Sequence, residues 1–383
     1  MKKKLMVAAV AGALAAPAMA LAQTSTVQIY GLLNVEYAPY VDSADNAAGA
    51  SRYTTDQFNS GASRIGFRGQ EKLGGNLTTW FQCETTVSFM NGATDDDSAF
   101  YVDNPLTNWC DRNSALGMRG GWGNFYVGHW DSPAKRVTSA TRMLNETGWL
   151  GAQRLLMTFR GFNYSHRVAK SLNYNSPNMN GFSVAAQMTS ENAARNQLET
   201  NAGIDGRVYG LNGIYRSGPL VVGLGWQNYE NQVQFATPAA PVAVDGADDT
   251  VIVLGVNYTW GMLKAGFVMT RIEAERGLTP ATQFERDSYN FALDWDLAGP
   301  GKVRFGATIA GETETAAPGA TLGSATQYQV SYLHSFSKRT TGAVGFVLLD
   351  NGSGGTYNLQ SLSTAVQPGD KSSALSLQLT HTF

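Results

Sequence analysis

Histidine and cysteine are scarce in this chain, four and two among 383 residues, and charged side chains make up only 15%. Two cysteines exclude a disulfide-dense scaffold, and no C-x-x-C or H-E-x-x-H spacing offers a zinc site, so no metal or other cofactor is expected. With 28 Lys+Arg against 30 Asp+Glu there is no basic excess, and no nucleic-acid partner is expected. Beyond the N-terminus no stretch approaches the ~20 apolar residues of a membrane helix, and no long segment carries a helical stripe. What is plentiful is glycine, with 42 residues, and aromatic side chains at 11%. Together with many β-branched residues they argue against disorder and against a helical bundle.

The N-terminus reads as an export signal. Lys2, Lys3 and Lys4 precede an apolar stretch from Leu5 to Ala22, closed by Ala20-Leu21-Ala22 before Gln23. A basic n-region, an apolar h-region and an A-x-A site predict cleavage after residue 22 and a mature domain of 23–383. The alternative, a retained membrane anchor, fits Pro17 and the A-x-A ending less well.

Export without a membrane helix leaves a soluble secreted protein or a barrel in the outer membrane, because only alternate residues of barrel strands face lipid. Periodicity separates the two. Val27, Ile29, Leu33 and Val35 alternate with polar positions that include Gln28, Asn34 and Glu36. Leu375, Leu377 and Leu379 alternate with Ser376, Gln378 and Thr380, while Val251/Val253 and Tyr289/Phe291/Leu293/Trp295 keep a phase in their own segments. Period two predicts strands with one apolar face. Short turns, such as Gly74-Gly75-Asn76, Ser217-Gly218-Pro219 and Gly299-Pro300-Gly301, alternate with long polar loops at about 41–57, 88–111, 131–164, 190–206, 230–249, 272–287, 311–324 and 350–370. Eight long loops and seven short turns join sixteen strands, the pattern of an all-β, antiparallel, up-and-down transmembrane barrel. A soluble solenoid or sandwich would not need every strand to be amphipathic. Tyr30, Tyr37, Tyr40, Trp80, Phe81, Trp122, Phe125, Tyr126, Trp260, Phe336 and Phe383 lie close to strand ends, as interfacial girdles require.

The ordered motifs carry a resemblance. Val27-Gln28-Ile29-Tyr30-Gly31, Ser63-Arg64-Ile65-Gly66-Phe67-Arg68-Gly69, Trp80-Phe81-Gln82-Cys83-Glu84, Gly117-Met118-Arg119-Gly120-Gly121-Trp122-Gly123, Asn173-Tyr174-Asn175-Ser176-Pro177 and Tyr332-Leu333-His334-Ser335-Phe336 follow one another along the chain. In that order the chain resembles the trimeric, sixteen-stranded general porins of Gram-negative bacteria, of the betaproteobacterial type. His129 departs, standing where many relatives have an arginine.

The resemblance implies a water-filled outer-membrane channel for passive diffusion of small hydrophilic solutes and ions, and a homotrimer. It also implies a third loop folded into the lumen against arginines of the wall. By motif these are Arg64, Arg112 and Arg167, with Arg68 sharing the facing of Arg64. From the third loop, Arg154 and Arg160 are expected to join them, and Glu146 is the one carboxylate placed to oppose them. A confined ring of guanidinium groups in low-dielectric walls concentrates anions, so an anion preference is expected; the alternative for this charge run is a solvated outer loop.

Other features are weighed beside it. Asp95, Asp96 and Asp97 could hold a divalent cation bridging lipopolysaccharide, or simply be hydrated. Cys83 and Cys110 bracket the second long loop in an oxidising compartment, where a disulfide is plausible. His166 near the constriction could gain charge at low pH. Ala115 and Gly117 would permit close approach to a neighbouring subunit. Phe383 ends an alternating strand, the pattern that resembles the signal read by the barrel assembly machinery. A barrel enzyme would need a nucleophile or paired acids beside a histidine, and none of the four histidines sits in such a motif, so no catalytic residue is assigned. A substrate-specific channel is the closer rival.

Overall fold

The computed structural model describes residues 26–43, 53–87, 109–145, 147–159, 162–189, 207–230, 233–237, 240–243, 248–275, 283–315, 323–359, 366 and 368–383. The predicted signal segment therefore lies outside the described residues, as do Asp95 to Asp97, Glu146 and Arg160.

Sixteen antiparallel strands close into one barrel. They are β1 (Thr26–Ser43), β2 in two pieces (Tyr53–Asn59 and Arg64–Gly74), β3 (Leu77–Thr86), β4 (Ser114–Gly120), β5 (Gly123–Asp131), β6 (Arg167–Asn175), β7 (Phe182–Thr189) and β8 (Val208–Ser217). Then follow β9 (Leu220–Tyr229), β10 (Asp249–Trp260), β11 (Leu263–Glu275), β12 (Gln283–Asp296), β13 (Gly301–Ala310), β14 (Ala325–Ser335), β15 (Thr340–Asn351) and β16 (Lys371–Thr382). Each strand pairs with its chain neighbours, and β1 closes the ring on β16 from Leu32↔Thr382 to Asp42↔Ser373. Tight turns such as Gly74-Gly75-Asn76, all three with positive φ, occupy one rim, where glycine and asparagine tolerate the left-handed region.

The period-two pattern resolves into two faces. Val27, Ile29, Leu116, Leu224 and Leu379 are exposed on the outside, toward lipid. Asn34, Glu36, Asn173, Gln187, Asn257, Asn290 and Gln327 point inward and are buried. Trp122, Trp260, Trp295, Phe336 and Phe383 are exposed aromatics of the outer surface.

One phase gains its facing and two expectations about facing change. Val251 and Val253 are fully buried toward the interior, and Ile252 and Leu254 form the outer face of β10. An apolar inner face is stable here because the third loop covers it. Tyr30, Trp80 and Tyr126 are not girdle residues. Tyr30 donates to Glu84 on the inner wall, and the Trp80 ring packs at 5.4 Å from that of Tyr126, which is buried. Gly117 also turns inward, where its missing side chain leaves room for Trp80 and Tyr126, so Leu116 and Met118 are what β4 presents on the outer surface.

Candidate pore constriction

The wall of the site is built on β1 to β6. The second strand breaks at Ser60–Ser63, where the Ser63 hydroxyl donates to the Asn34 carbonyl at 3.1 Å and accepts the Asn34 amide at 2.8 Å. Arg64 opens the lower piece directly after this clamp. Its Nε lies 3.7 Å from Glu84 Oε1, and Arg112 Nε lies 2.8 Å from the same oxygen. Tyr30 donates to the other Glu84 oxygen at 3.2 Å. Arg68, four residues beyond Arg64 on the same face, donates to Gln28 at 2.9 Å and stacks 4.9 Å from the Tyr30 ring centre.

A second carboxylate collects the remaining cations. Asp131 Oδ1 lies 3.5 Å from Arg167 Nε and 3.4 Å from Lys135 Nζ, while Asn113 donates to its Oδ2 at 2.7 Å and accepts from Arg167 at 3.0 Å. Arg64 and Arg112 thus share Glu84, and Arg167 and Lys135 share Asp131, while Arg68 stands beside Gln28 and Tyr30. Of the motif-derived arginines, Arg64 and Arg112 meet on one carboxylate and Arg167 stands at the other. Glu84 and Asp131 were not singled out as their partners, although period two puts Glu84 on the inner face beside Gln82.

Loop 3 (132–166) lines the interior. Ser132 caps α1 (Pro133–Thr141) by accepting from the Lys135 amide at 3.2 Å, with Pro133 at the first turn, where its missing N–H costs nothing. The loop then follows a track of glycines across successive strands. A methyl group added to Gly210 of β8 would lie 2.7 Å from Pro133, and one on Gly223 of β9 would lie 2.9 Å from Val137. At Gly255 of β10 it would overlap Thr141, and at Gly266 of β11 it would lie 2.5 Å from Met143. A methyl group on Gly306 of β13 would lie 2.6 Å from Leu144, and one on Gly345 of β15 would lie 2.7 Å from Leu150. Strand interiors ordinarily disfavour glycine; here its absent side chain is the seat of the loop.

The tip is fixed from across the ring. Gly148 has φ +83° and packs against the Glu36 carboxylate of β1, which accepts the Trp149 amide at 3.3 Å. Beyond it, α2 (Gln153–Met157) is pinned by Thr270, donating to the Leu156 carbonyl at 2.6 Å, and Gln327, donating to the Gly151 carbonyl at 3.0 Å. The loop returns through Tyr164, which donates to Asp249 at 2.7 Å within a ring cluster of Phe162, His166 and Tyr229. His166 sits buried in that cluster, bonded to the Asn163 carbonyl at 2.8 Å, and does not line open water.

Arg154 departs from expectation. Its guanidinium donates to the carbonyls of Leu359 at 2.8 Å and Asn358 at 3.4 Å, and burial lowers its pKa to about 10, so it stays charged at neutral pH. It is engaged with another loop rather than directed at the wall arginines. Arg136 makes four bonds, to the Asp131 carbonyl, Tyr126, Asn173 and Asn175, at 2.8 to 2.9 Å. Outside the lumen, Cys83 and Cys110 are joined by a disulfide with Cα atoms 4.7 Å apart, and the Cys110 amide donates to Thr85 at 3.0 Å.

The sequence profile described as "Gram-negative porin" matches residues 7–354. The chain is 26% identical over 397 aligned positions to outer membrane porin protein 32 of Delftia acidovorans, covering 100% of both chains. It is 27% identical over 203 positions to major outer membrane protein P.IB of Neisseria gonorrhoeae, 52% of this chain and 51% of that one. Among solved structures, the anion-selective porin from Comamonas acidovorans superposes with a TM-score of 0.70 at 22% identity, over 94% of this chain and 100% of the other. The trimer form of OmpT of Vibrio cholerae superposes at 0.62 and 16% identity, over 94% and 99% of the two chains.

Proposed function

The chain belongs to the Gram-negative porin family, and from that premise we propose that it is an anion-preferring diffusion channel with Arg64, Arg68, Arg112 and Arg167 as its selective wall. As a porin of the outer membrane it passes small hydrophilic solutes and ions through a water-filled barrel. The observation that carries the preference is the imbalance in this cluster: Arg64, Arg68, Arg112, Arg167 and Lys135 stand against Glu84 and Asp131. In a narrow aqueous passage with low-dielectric walls that surplus favours chloride over potassium. The described residues of loop 3 supply no carboxylate to offset it, and the similarity to an anion-selective porin points the same way.

The mature protein is proposed to be a homotrimer, released into the periplasm by cleavage after residue 22 and inserted by the barrel assembly machinery among lipopolysaccharide. The test of selectivity is the zero-current potential of the purified protein in a planar bilayer under a potassium chloride gradient. Anion preference at low salt that fades as salt rises is expected, because screening shortens the reach of wall charges. Cation preference at low salt would overturn the reading.

A further inference from the structure

Loop 8, which follows β15, also reaches loop 3. Asn351 organises its start, donating from Nδ2 to the Tyr357 and Asp370 carbonyls at 2.9 Å each and accepting the Tyr357 amide at 2.8 Å. Leu359 is fully buried in one cluster with Trp149, Leu150 and Leu155 of loop 3. Arg154 of loop 3 donates to the carbonyls of Asn358 and Leu359.

The wall contributes a second arginine at this junction. Arg286 points inward from β12 and is 1% exposed. One terminal nitrogen donates to the Tyr357 hydroxyl of loop 8 at 2.8 Å, and the other donates to the Leu155 carbonyl of loop 3 at 3.1 Å. The guanidinium lies 5.3 Å from the Phe159 ring centre and 5.8 Å from that of Tyr357, one aromatic from each loop. None of the ion pairs among the described residues includes Arg286, and its Nε has no hydrogen-bond partner there.

A buried cation without a carboxylate is expensive, and an aliphatic side chain of similar volume would fill the same space without that cost. What an aliphatic chain lacks is a planar fork with one arm on each loop and a face for each ring. We propose that Arg286 is a positioning residue that clasps loop 8 onto loop 3, so that the constriction is a two-loop structure whose width depends on this joint. The proposal rests on the channel reading above. Arg154 of loop 3 joins the same two loops through its bonds to the Asn358 and Leu359 carbonyls.

Single-channel recording of the full mature protein tests it, with R286M, R286K and Y357F beside the wild type. R286M releases both loops while filling the space, and R286K keeps the charge but gives up the fork. Both are expected to raise single-channel conductance and open-channel noise, with a smaller change of the same sign in Y357F. Retained heat-modifiability on gels shows that the barrel itself is folded. Wild-type conductance and noise in folded R286M and Y357F would overturn the clasp. Wild-type behaviour in R286K with an altered R286M would assign the effect to charge alone and overturn it equally. Should R286M not fold, Y357F, which loses one hydroxyl, carries the test by itself. If the wild-type protein forms no channels, the porin reading fails rather than the clasp alone.

Discussion

At the scale of single residues, selection depends on how few carboxylates the arginine wall has. Glu84 serves Arg64, Arg112 and Tyr30 together, so Glu84→Gln is expected to increase anion preference in a salt gradient. Arg64→Glu combined with Arg112→Glu should move the zero-current potential toward the cation side. Replacing Asp95 to Asp97 with Asn is expected to move it little, since the sequence places them in a long polar loop, where salt screens charge. The wall arginines were named from their place in or beside motifs, with period two giving Arg68 the facing of Arg64. Glu36 and Arg286 were not: alternation states that both point inward, but not that Trp149 or Leu155 and Tyr357 would be there to meet them.

Among the elements, loop 3 is held by what the strands leave out. The glycines at 210, 223, 255, 266, 306 and 345 lie in separate strands, and the pairing register of the sheet aligns them under one loop. Gly255→Val would force a branched side chain against Thr141, an overpacking of about 1–3 kcal/mol. It is expected to displace α1 and alter single-channel conductance while leaving the barrel's resistance to detergent nearly intact. The same geometry explains why the alternation of Val251 and Val253 gave a phase but not a facing. An apolar face normally means lipid in a barrel, and a loop that returns to cover the lumen supplies a second apolar solvent that a local pattern does not reveal. The disulfide constrains another element. Cys83→Ser with Cys110→Ser opens a link across 27 positions, a loop-closure term of about 3–4 kcal/mol in the chain-entropy account. A lower dissociation temperature on heated gels, matched by reductant treatment of the wild type, is the expected result.

For the molecule as a whole, sixteen strands and their order follow from the spacing of turns and loops, and the ring closes as that count requires. Assembly of three chains is a separate expectation. Crosslinking in mild detergent should trap a heat-sensitive species of three times the monomer mass, and a monomer under those conditions would count against it. Phe383 bears on closure. It exchanges backbone hydrogen bonds with Gly31 at 3.1 and 3.2 Å, and its ring lies where a side chain at Gly31 would be. Deleting Phe383 is expected to lower the amount of folded protein in outer-membrane fractions, with the remainder degraded in the periplasm.

The seam between β1 and β16 also sets an order of events. β1 pairs on one side with β2, whose chain follows soon after it, but on the other side with a strand some 340 residues later, as Asn34 and Gln378 illustrate. Until β16 arrives, one edge of β1 presents unpaired N–H and C=O groups, the template on which other chains aggregate. The strand that emerges first is therefore the one that waits longest for its partner, and its survival in transit depends on being shielded by something other than the barrel it will close.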